Sequence, residues 1–562
     1  MKPPATAWPS PRRAVDSDLS AKSFKKCCIL VLASVGLALV LRLPRLEQRP
    51  MHGDEAIHGL KFGQLLEEGV YTYDPNEYHG PMLNYLTLIP AWLKSAGKLT
   101  EVSERTLRIV PVFFGVLLVL LLLLMADGLG TGAVVYAAIL TAISPAMVFY
   151  SRYYIQEMLL VCFTFGAITF GYRYARSKNI KWVLLTGVFL GLMHATKETC
   201  IVSFGSMFIA LLIVIFLQRK KNTPTNTIKT IRASHIIAGL AVAIVVSALF
   251  YSSFLKNSTG ILDSVRAYTV YFSRAGNNIL HIHPWYYYLK MLLWSKYGDG
   301  PIWSEAIIVL LAVVGFIVAI RGKNRTAANL YLLRFIAFYT LTMTVLYSAI
   351  PYKTPWCMLS FLHGMILLAG VGTVTLIKMT PNVLPRPAPW RGGARLIVVC
   401  LLIAGALHLT WQAYLGNYKY YADSRNPYVY AHPTIDVFTM VQRVEEIARV
   451  HKDSYKMHIQ VICPEFDYWP LPWYLRSFTN VGWWDKIDDS VPSASIIIAS
   501  ASMEQELIRK LYELPPPGKK NLYVPLFDTY MELRPRIELR GYVRKDLWDR
   551  FQQWPIQSQP SR

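Results

Sequence analysis

Two adjacent carboxylates, Asp54 and Glu55, follow the first long apolar run of the sequence. Carboxylates at the edge of an apolar segment are costly unless they are solvated, paired or functional. A carboxylate held beside a hydroxyl can take its proton, so Asp54 is a candidate general base and both acids are candidate catalytic residues. The pair also suits a helix start, with Asp54 as the capping residue and Glu55 near the positive end of the helix.

A third acid, Glu157, comes five residues after Arg152 and directly before the apolar Met158. An ionisable residue at such a boundary is a candidate functional residue, which makes Glu157 the third predicted catalytic acid. A salt bridge between Glu157 and Arg152 is the structural alternative. Carboxylates near a histidine could also hold a divalent metal, with Asp54 and Glu157 as candidate ligands. Their spacing does not define a metal site, and no other cofactor is predicted.

Further polar clusters lie in short segments between apolar runs. A lysine at the rim of an apolar run could bind phosphate as a point charge, or could simply extend its ammonium to the membrane interface. The candidate substrate-binding residues of these clusters are Glu77, His79, Arg152, Lys197, Glu198, Tyr352, Lys353 and Trp356.

The apolar runs that must position these residues are long enough to cross a membrane. The chain is 53% hydrophobic and only 17% charged, whereas soluble domains carry about 25% charged residues. A mainly α-helical, polytopic membrane bundle of about eleven spans is therefore predicted. The candidate spans are roughly 27–43, 106–126, 132–150, 155–172, 182–196, 199–217, 235–255, 302–320, 329–350, 357–377 and 396–413.

The distribution of charge predicts the orientation of the bundle. The net charge is +23, and the basic residues fall in the N-terminal tail, 1–26, and in every second loop. Loops rich in Lys and Arg face the cytoplasm, so the acidic clusters are expected on the outer face. Nucleic-acid binding is not predicted, because no patch interleaves basic residues with aromatic ones.

Three segments are expected outside the membrane. A first outer loop, 44–105, contains an amphipathic stretch, Glu55–Glu68, and a short apolar stretch, Met82–Leu93, both predicted to be interfacial. A second outer loop covers 256–301. Residues 27–417 form the membrane domain, and residues 418–562 are predicted to be a small outer α/β domain because helical and strand-like patterns alternate there. Those patterns are helices at 435–450 and 503–514 and strands at 456–463 and 494–499.

The clusters, in this order, resemble the polytopic glycosyltransferases of the C superfamily, which include protein O-mannosyltransferases and lipid A aminoarabinose transferases. The chain is most similar to the flippase activity-associated proteins of archaea and bacteria. The resemblance runs from about Leu41 to the late 470s. The matching segments are His52-Gly53-Asp54-Glu55-Ala56, Tyr78-His79-Gly80-Pro81, Ser151-Arg152-Tyr153 with Glu157, His194-Ala195-Thr196-Lys197-Glu198, Ile350-Pro351-Tyr352-Lys353-Thr354-Pro355-Trp356, Arg425-Asn426-Pro427-Tyr428 and Trp469-Pro470-Leu471-Pro472-Trp473-Tyr474.

The resemblance implies a polyprenyl-phosphate sugar donor and an active site on the outer face of the cell membrane. Asp54 matches the acid of the family's first-loop motif, and Glu157 matches a second acid after the third span. The expected reaction transfers the sugar, with inversion, to a hydroxyl of a glycan, lipid or protein acceptor. Cations such as Lys353, Lys197 or Arg152 would stabilise the departing lipid phosphate.

Two alternatives remain open from the sequence. The chain could be a transport component, or a non-catalytic one, associated with flipping of lipid-linked sugars. A transporter should show inverted repeats and charges near mid-membrane, and neither is evident.

The outer-domain tryptophans either stack on a glycan or belong to the core and membrane interface; they are Trp469, Trp473, Trp483 and Trp484.

Overall fold

The fold combines a large helical region with a small C-terminal sheet domain, as the sequence predicts. The computed structural model describes residues 21–77, 79–219, 232–277, 281–322, 328–383, 391–516, 518 and 520–554. Tyr78, most of the N-terminal tail and much of the basic loops at 219–232, 321–325 and 378–395 lie outside the described residues.

Among the described residues, the large helical region that precedes the sheet domain contains seventeen numbered helices. They are α1 (Ala21–Arg42), α2 (Gly53–Glu68), α3 (Met82–Leu93), α4 (Glu104–Leu121), α5 (Ala126–Leu129), α6 (Thr131–Ile143), α7 (Pro145–Tyr150), α8 (Glu157–Ser177), α9 (Ile180–His194), α10 (Cys200–Arg219), α11 (Ala233–Tyr251), α12 (Thr259–Asn277), α13 (Tyr287–Leu293), α14 (Ala306–Arg321), α15 (Leu330–Ala349), α16 (Leu359–Val383) and α17 (Arg391–Tyr414).

Each of the eleven predicted spans coincides with a helix, but not all of these helices are long. In the described chain, eight helical segments are long and apolar enough to cross a membrane. Helices α6, α9 and α14, which occupy the predicted spans 132–150, 182–196 and 302–320, are shorter. The count of eleven therefore stays a prediction.

The helices pack closely because small residues allow their backbones to approach. A Cβ placed on Gly187 of α9 would lie 2.2 Å from the carbonyl oxygen of Gly239 in α11. Small residues at such crossings are typical of helices that pack within a membrane. Helix α8 lies at the centre, where most of its residues from Glu157 to Phe170 are buried.

Residues 44–105, predicted to be the first outer loop, carry two helices of 16 and 12 residues. Helix α2 begins at Gly53 with His52 as its capping residue, and the side chain of Glu55 accepts from the backbone N–H of His52. The expected capping role of Asp54 is therefore wrong, because the imidazole of His52 already accepts from the backbone N–H of Asp54. Helix α3 coincides with the apolar stretch predicted to be interfacial.

The outer domain is built on a mixed sheet. Strand β1 (Ile459–Ile462) pairs in parallel with β2 (Val481–Trp484) and β3 (Ile496–Ser500), and β6 runs antiparallel to β3. The order is β2-β1-β3-β6-β4, and β5 pairs with β6. The remaining elements are β4 (Tyr523–Pro525), β5 (Glu532–Arg534), β6 (Ile537–Arg544), α18 (Asp436–Val450), α19 (Leu471–Tyr474), α20 (Glu504–Ile508) and α21 (Lys545–Gln553).

Candidate functional site

Glu55 lies at the centre of a buried ion-pair network. Its carboxylate is fully buried and accepts from Nε and Nη2 of Arg108 at 2.8 and 2.7 Å. The backbone N–H of Tyr154 donates to it at 2.8 Å, and Arg49 lies 3.7 Å away. Arg108 also donates to the carbonyl oxygens of residues 46, 49 and 50. The predicted catalytic acid Glu55 therefore joins α2 to α4 and to the start of α8.

Asp54, the next residue, has a different environment. Its side chain is 45% exposed, and its Oδ1 lies 3.8 Å from Nδ1 of His52. The side chains of His58, His79 and Lys197 complete its surroundings. Burial opposes ionisation of Asp54, but the surrounding imidazoles and the ammonium of Lys197 hold its pKa below its usual range. Asp54 is thus an anionic and partly exposed carboxylate.

Glu157 pairs with Lys197 rather than with Arg152. The ammonium of Lys197 donates to Oε1 of Glu157, and both side chains are less than one-tenth exposed. Glu157 opens α8, whereas Lys197 lies in the turn between α9 and α10. The carboxylate of Glu157 raises the pKa of Lys197 despite its burial, so this cation remains charged.

Glu198 joins the first outer loop to the same turn. Its carboxylate accepts from the hydroxyl of Tyr73 at 2.8 Å and contacts Nδ1 of His79 at 2.9 Å. Burial would raise the pKa of Glu198, but the interaction with His79 outweighs it and lowers the pKa to about 2. A hydrogen bond also joins the backbone N–H of Met82 to the carbonyl of Ala195. A Cβ on Gly80 would lie 2.3 Å from that carbonyl oxygen, so the two segments touch backbone to backbone.

Three of the predicted substrate-binding residues either donate to backbone carbonyls or lie exposed. Arg152 donates to the carbonyl oxygens of Arg42 and Pro44 at 2.9 and 2.8 Å, so it holds the end of α1. Lys353 donates to the carbonyl oxygens of Ile350 and His283. The third, Glu77, lies exposed in a turn.

Aromatic rings form one wall beside Asp54. The imidazole of His52 packs between Tyr153, Trp356 and His432, with ring centroids 5.5, 5.8 and 5.0 Å away. Tyr352, 40% exposed, continues this wall towards the second outer loop through its edge contact with His281. In the described part of the chain, the buried hydroxyl of Tyr153 and Oε2 of Glu157 have no hydrogen-bond partner.

The donor set does not fit the divalent metal that the sequence allowed at Asp54 and Glu157. Within the described ranges, no group of three or more His, Cys, Asp and Glu side chains has the arrangement of a metal site. Oε1 of Glu157 accepts a hydrogen bond from Lys197, and the carboxylate of Glu55 forms an ion pair with Arg108. The charged ammonium of Lys197 near Asp54 suits a phosphate better than a second cation.

Sequence reasoning missed Arg108 and His58. Arg108 stands between Leu107 and Ile109 inside a predicted span, and an arginine in such a run is itself a signal of function or pairing. His58 comes four residues after Asp54, which places the two side chains on the same side of a helix.

A sequence model of the family described as dolichyl-phosphate-mannose-protein mannosyltransferase matches residues 79–251. This segment includes His79, Glu157, Lys197 and Glu198. A search of curated proteins finds no match to the chain.

Solved membrane glycosyltransferases share the fold. ArnT from Cupriavidus metallidurans bound to undecaprenyl phosphate is 13% identical, with 91% of this chain and 97% of that chain covered and a TM-score of 0.59. The predicted resemblance is thus confirmed at the level of the fold. A second solved structure with this fold is the archaeal oligosaccharyltransferase AglB from Archaeoglobus fulgidus, in complex with an inhibitory peptide and a dolichol-phosphate. It is 12% identical, with 86% of this chain and 70% of that chain covered and a TM-score of 0.54. The flippase activity-associated subfamily stays a prediction.

Proposed function

We propose that the protein transfers a sugar from a polyprenyl-phosphate donor to an acceptor hydroxyl at the outer face of the cell membrane. The observation that carries this proposal is the state of Asp54, an anionic carboxylate that is 45% exposed beside the cation Lys197. A base next to an anion-binding cation is what displacement of a lipid phosphate by a hydroxyl requires. The match over residues 79–251 and the shared fold agree with it.

In this reaction Asp54 accepts the proton of the acceptor hydroxyl. The hydroxyl oxygen then forms a bond to the anomeric carbon on the face opposite the lipid phosphate, and the bond from that carbon to the phosphate oxygen breaks. The products are the inverted glycoside and the polyprenyl phosphate. Since the pKa of Asp54 is lowered, its affinity for the proton must rise as the acceptor and donor displace water.

Lys197 is the cation we assign to the departing phosphate. Arg152 and Lys353 donate to backbone carbonyls, so Lys197 alone keeps the role that was predicted for all three. Glu157 holds the ammonium in place and keeps it charged. The hydroxyl of Tyr153, buried near Asp54 and without a partner among the described residues, is placed to donate to a substrate oxygen.

The test is transfer of labelled sugar from synthetic polyprenyl-phosphate sugars in membranes that contain equal amounts of wild type, Asp54→Asn or Glu157→Gln. We expect Asp54→Asn to lower transfer by about 10²- to 10⁴-fold, the usual contribution of a general base. Asp54→Glu, which keeps the carboxylate, should recover part of the activity. Transfer that is unchanged in Asp54→Asn would remove this residue from the chemistry and favour the flippase-associated alternative.

A further inference from the structure

Four half-buried or exposed aromatic side chains of the outer domain form a surface that the proposed reaction does not use. Tyr468 is their centre, with its ring centroid 4.9 Å from Trp483, 6.1 Å from Trp469 and 6.1 Å from Phe466. Phe466 is 55% exposed. We call these four residues the aromatic platform.

The platform adjoins the acidic motif of the first outer loop. The Cβ of Trp469 would lie 3.7 Å from a Cβ built on Gly53, the residue before Asp54. The hydroxyl of Tyr474 accepts from the backbone N–H of Met51, which fixes the outer domain to this loop. A molecule lying on the platform therefore reaches the start of α2, where Asp54 is exposed.

Charged groups accompany these rings. Asp467 lies between Phe466 and Tyr468 in the sequence and forms a 2.5 Å ion pair with Arg534, and both side chains are partly exposed. Asp485 follows the strand that carries Trp483, is exposed and acts electrostatically on Tyr468. Carboxylates among the rings would be costly at a membrane surface, whereas aromatic faces together with charged acceptors and donors suit the apolar faces and hydroxyls of sugar rings.

The other outer-domain tryptophan near α2 has a structural role. Trp473 is fully buried against Gly59 of α2, and its indole N–H donates to Glu104 at 2.8 Å. Docking of the outer domain therefore does not depend on the exposed ring of Phe466.

We infer that the aromatic platform binds the carbohydrate part of a glycan acceptor and presents one of its hydroxyls to Asp54. This inference rests on the proposed function for the direction of transfer. Binding of the carbohydrate to the platform, however, can be measured without transfer.

The experiment measures binding of three soluble probes, maltotriose, mannotriose and chitotriose, to the full chain in nanodiscs by saturation-transfer-difference NMR. We expect saturable binding of at least one probe. Tyr468→Ala should weaken it by about 10-fold, the effect of losing one aromatic contact of about 1.4 kcal/mol. Phe466→Ala is a second variant, chosen because its exposed ring can be removed without opening the core.

The matched control is Tyr455→Ala, which removes a ring that is 41% exposed near the opposite end of β1. It should leave binding unchanged. Asp54→Asn should also bind the probes as wild type does, even though it loses transfer, which separates failure of the inference from failure of the proposed function. Absence of binding by all three probes, or equal binding by Tyr468→Ala, would overturn the inference. Selective quenching of Trp483 by brominated lipids would assign the platform to the bilayer and would overturn it too.

Discussion

Asp54 and Glu55 are neighbours in the sequence, yet their side chains lie in two regions that differ in exposure and in hydrogen bonding. Glu55 is fully buried and its carboxylate accepts hydrogen bonds from Arg108 and from two backbone N–H groups. The Asp54 side chain is 45% exposed and faces His52, His58, His79 and Lys197. Successive residues of a helix point about 100° apart, so the first turn of α2 directs one acid to the core and the other to the outer loops.

The difference shows what separates an acid that supports the fold from one that can react. A carboxylate whose lone pairs all accept hydrogen bonds from fixed donors is held ionised and cannot reach a substrate. A carboxylate with an open side can accept a proton. We therefore propose different roles for the two predicted catalytic acids: Asp54 as the base and Glu55 as its positioning residue.

The largest expected effect is a difference in protein stability between variants of Glu55 and of Asp54. Glu55→Gln should lower the free energy of unfolding by about 3–5 kcal/mol, because it leaves the buried charge of Arg108 without a partner. Asp54→Asn, at an open site, should change it by less than about 0.5 kcal/mol. Thermal unfolding of the purified variants in detergent compares the two.

The control for this comparison is the double variant Glu55→Gln with Arg108→Met. It removes both charges of the pair and should recover much of the stability lost by Glu55→Gln alone. Equal destabilisation by Asp54→Asn and Glu55→Gln would show that the two acids do not differ as described.

A smaller effect distinguishes two lysines. Lys197→Met should weaken binding of polyprenyl phosphate by about 10- to 100-fold, since one charge-assisted hydrogen bond contributes about 1.5–3 kcal/mol. Lys353→Met should leave this binding nearly unchanged, because the ammonium of Lys353 is held by carbonyl oxygens. Titration with the labelled lipid phosphate measures both affinities, and the reverse order would assign the phosphate to Lys353.

The buried imidazole of His58 near Asp54 predicts that stability depends on pH. Burial lowers the pKa of His58 from 6.5 to about 3, so the folded protein binds fewer protons there than the unfolded chain. The resulting stability is fully present above pH 6.5 and is lost as the pH falls towards 3. Apparent Tm should therefore decrease below about pH 6.5, and His58→Gln should make the decrease shallower. A Tm profile that is the same in both proteins would contradict the buried, neutral state of His58.

The smallest expected effect concerns the contact between the outer domain and α2. Trp473→Phe keeps a ring in the buried position but removes the indole N–H that donates to Glu104. We expect a loss of about 1 kcal/mol in stability, the usual contribution of one hydrogen bond. Activity at saturating acceptor should remain near that of wild type, and loss of activity without loss of stability would show that this contact serves the reaction.

The sequence predicted the helical elements and the acidic clusters because both depend on local patterns. Apolar runs identify the helices, and the few acids of the membrane region stand out against them. The pairing of Glu157 with Lys197 rather than Arg152 could not be predicted, since it depends on how α8 packs beside the turn after α9. The roles of Glu55 and Arg108 were missed for the same reason.

In the C-terminal domain, too, some elements were predicted and others were missed. The predicted helix at 435–450 and the strands at 456–463 and 494–499 correspond to α18, β1 and β3. The helix predicted at 503–514 begins as α20 and continues as a π-helical turn, Arg509–Glu513. Strand β2 was missed because its sequence, Val-Gly-Trp-Trp, contains a glycine, which is disfavoured in strands. Strand β6 was also missed, although its burial alternates along most of its length, which is the signal of a half-exposed strand.

The backbone contact at Gly80 determines where large substrates can enter. Because this glycine touches the carbonyl of Ala195, the segment carrying His79 and the turn carrying Lys197 must move together. A lipid-linked sugar cannot pass between them without separating both from Asp54. We therefore expect large substrates to enter elsewhere, and the Gly80 contact to act as a fixed wall of the site.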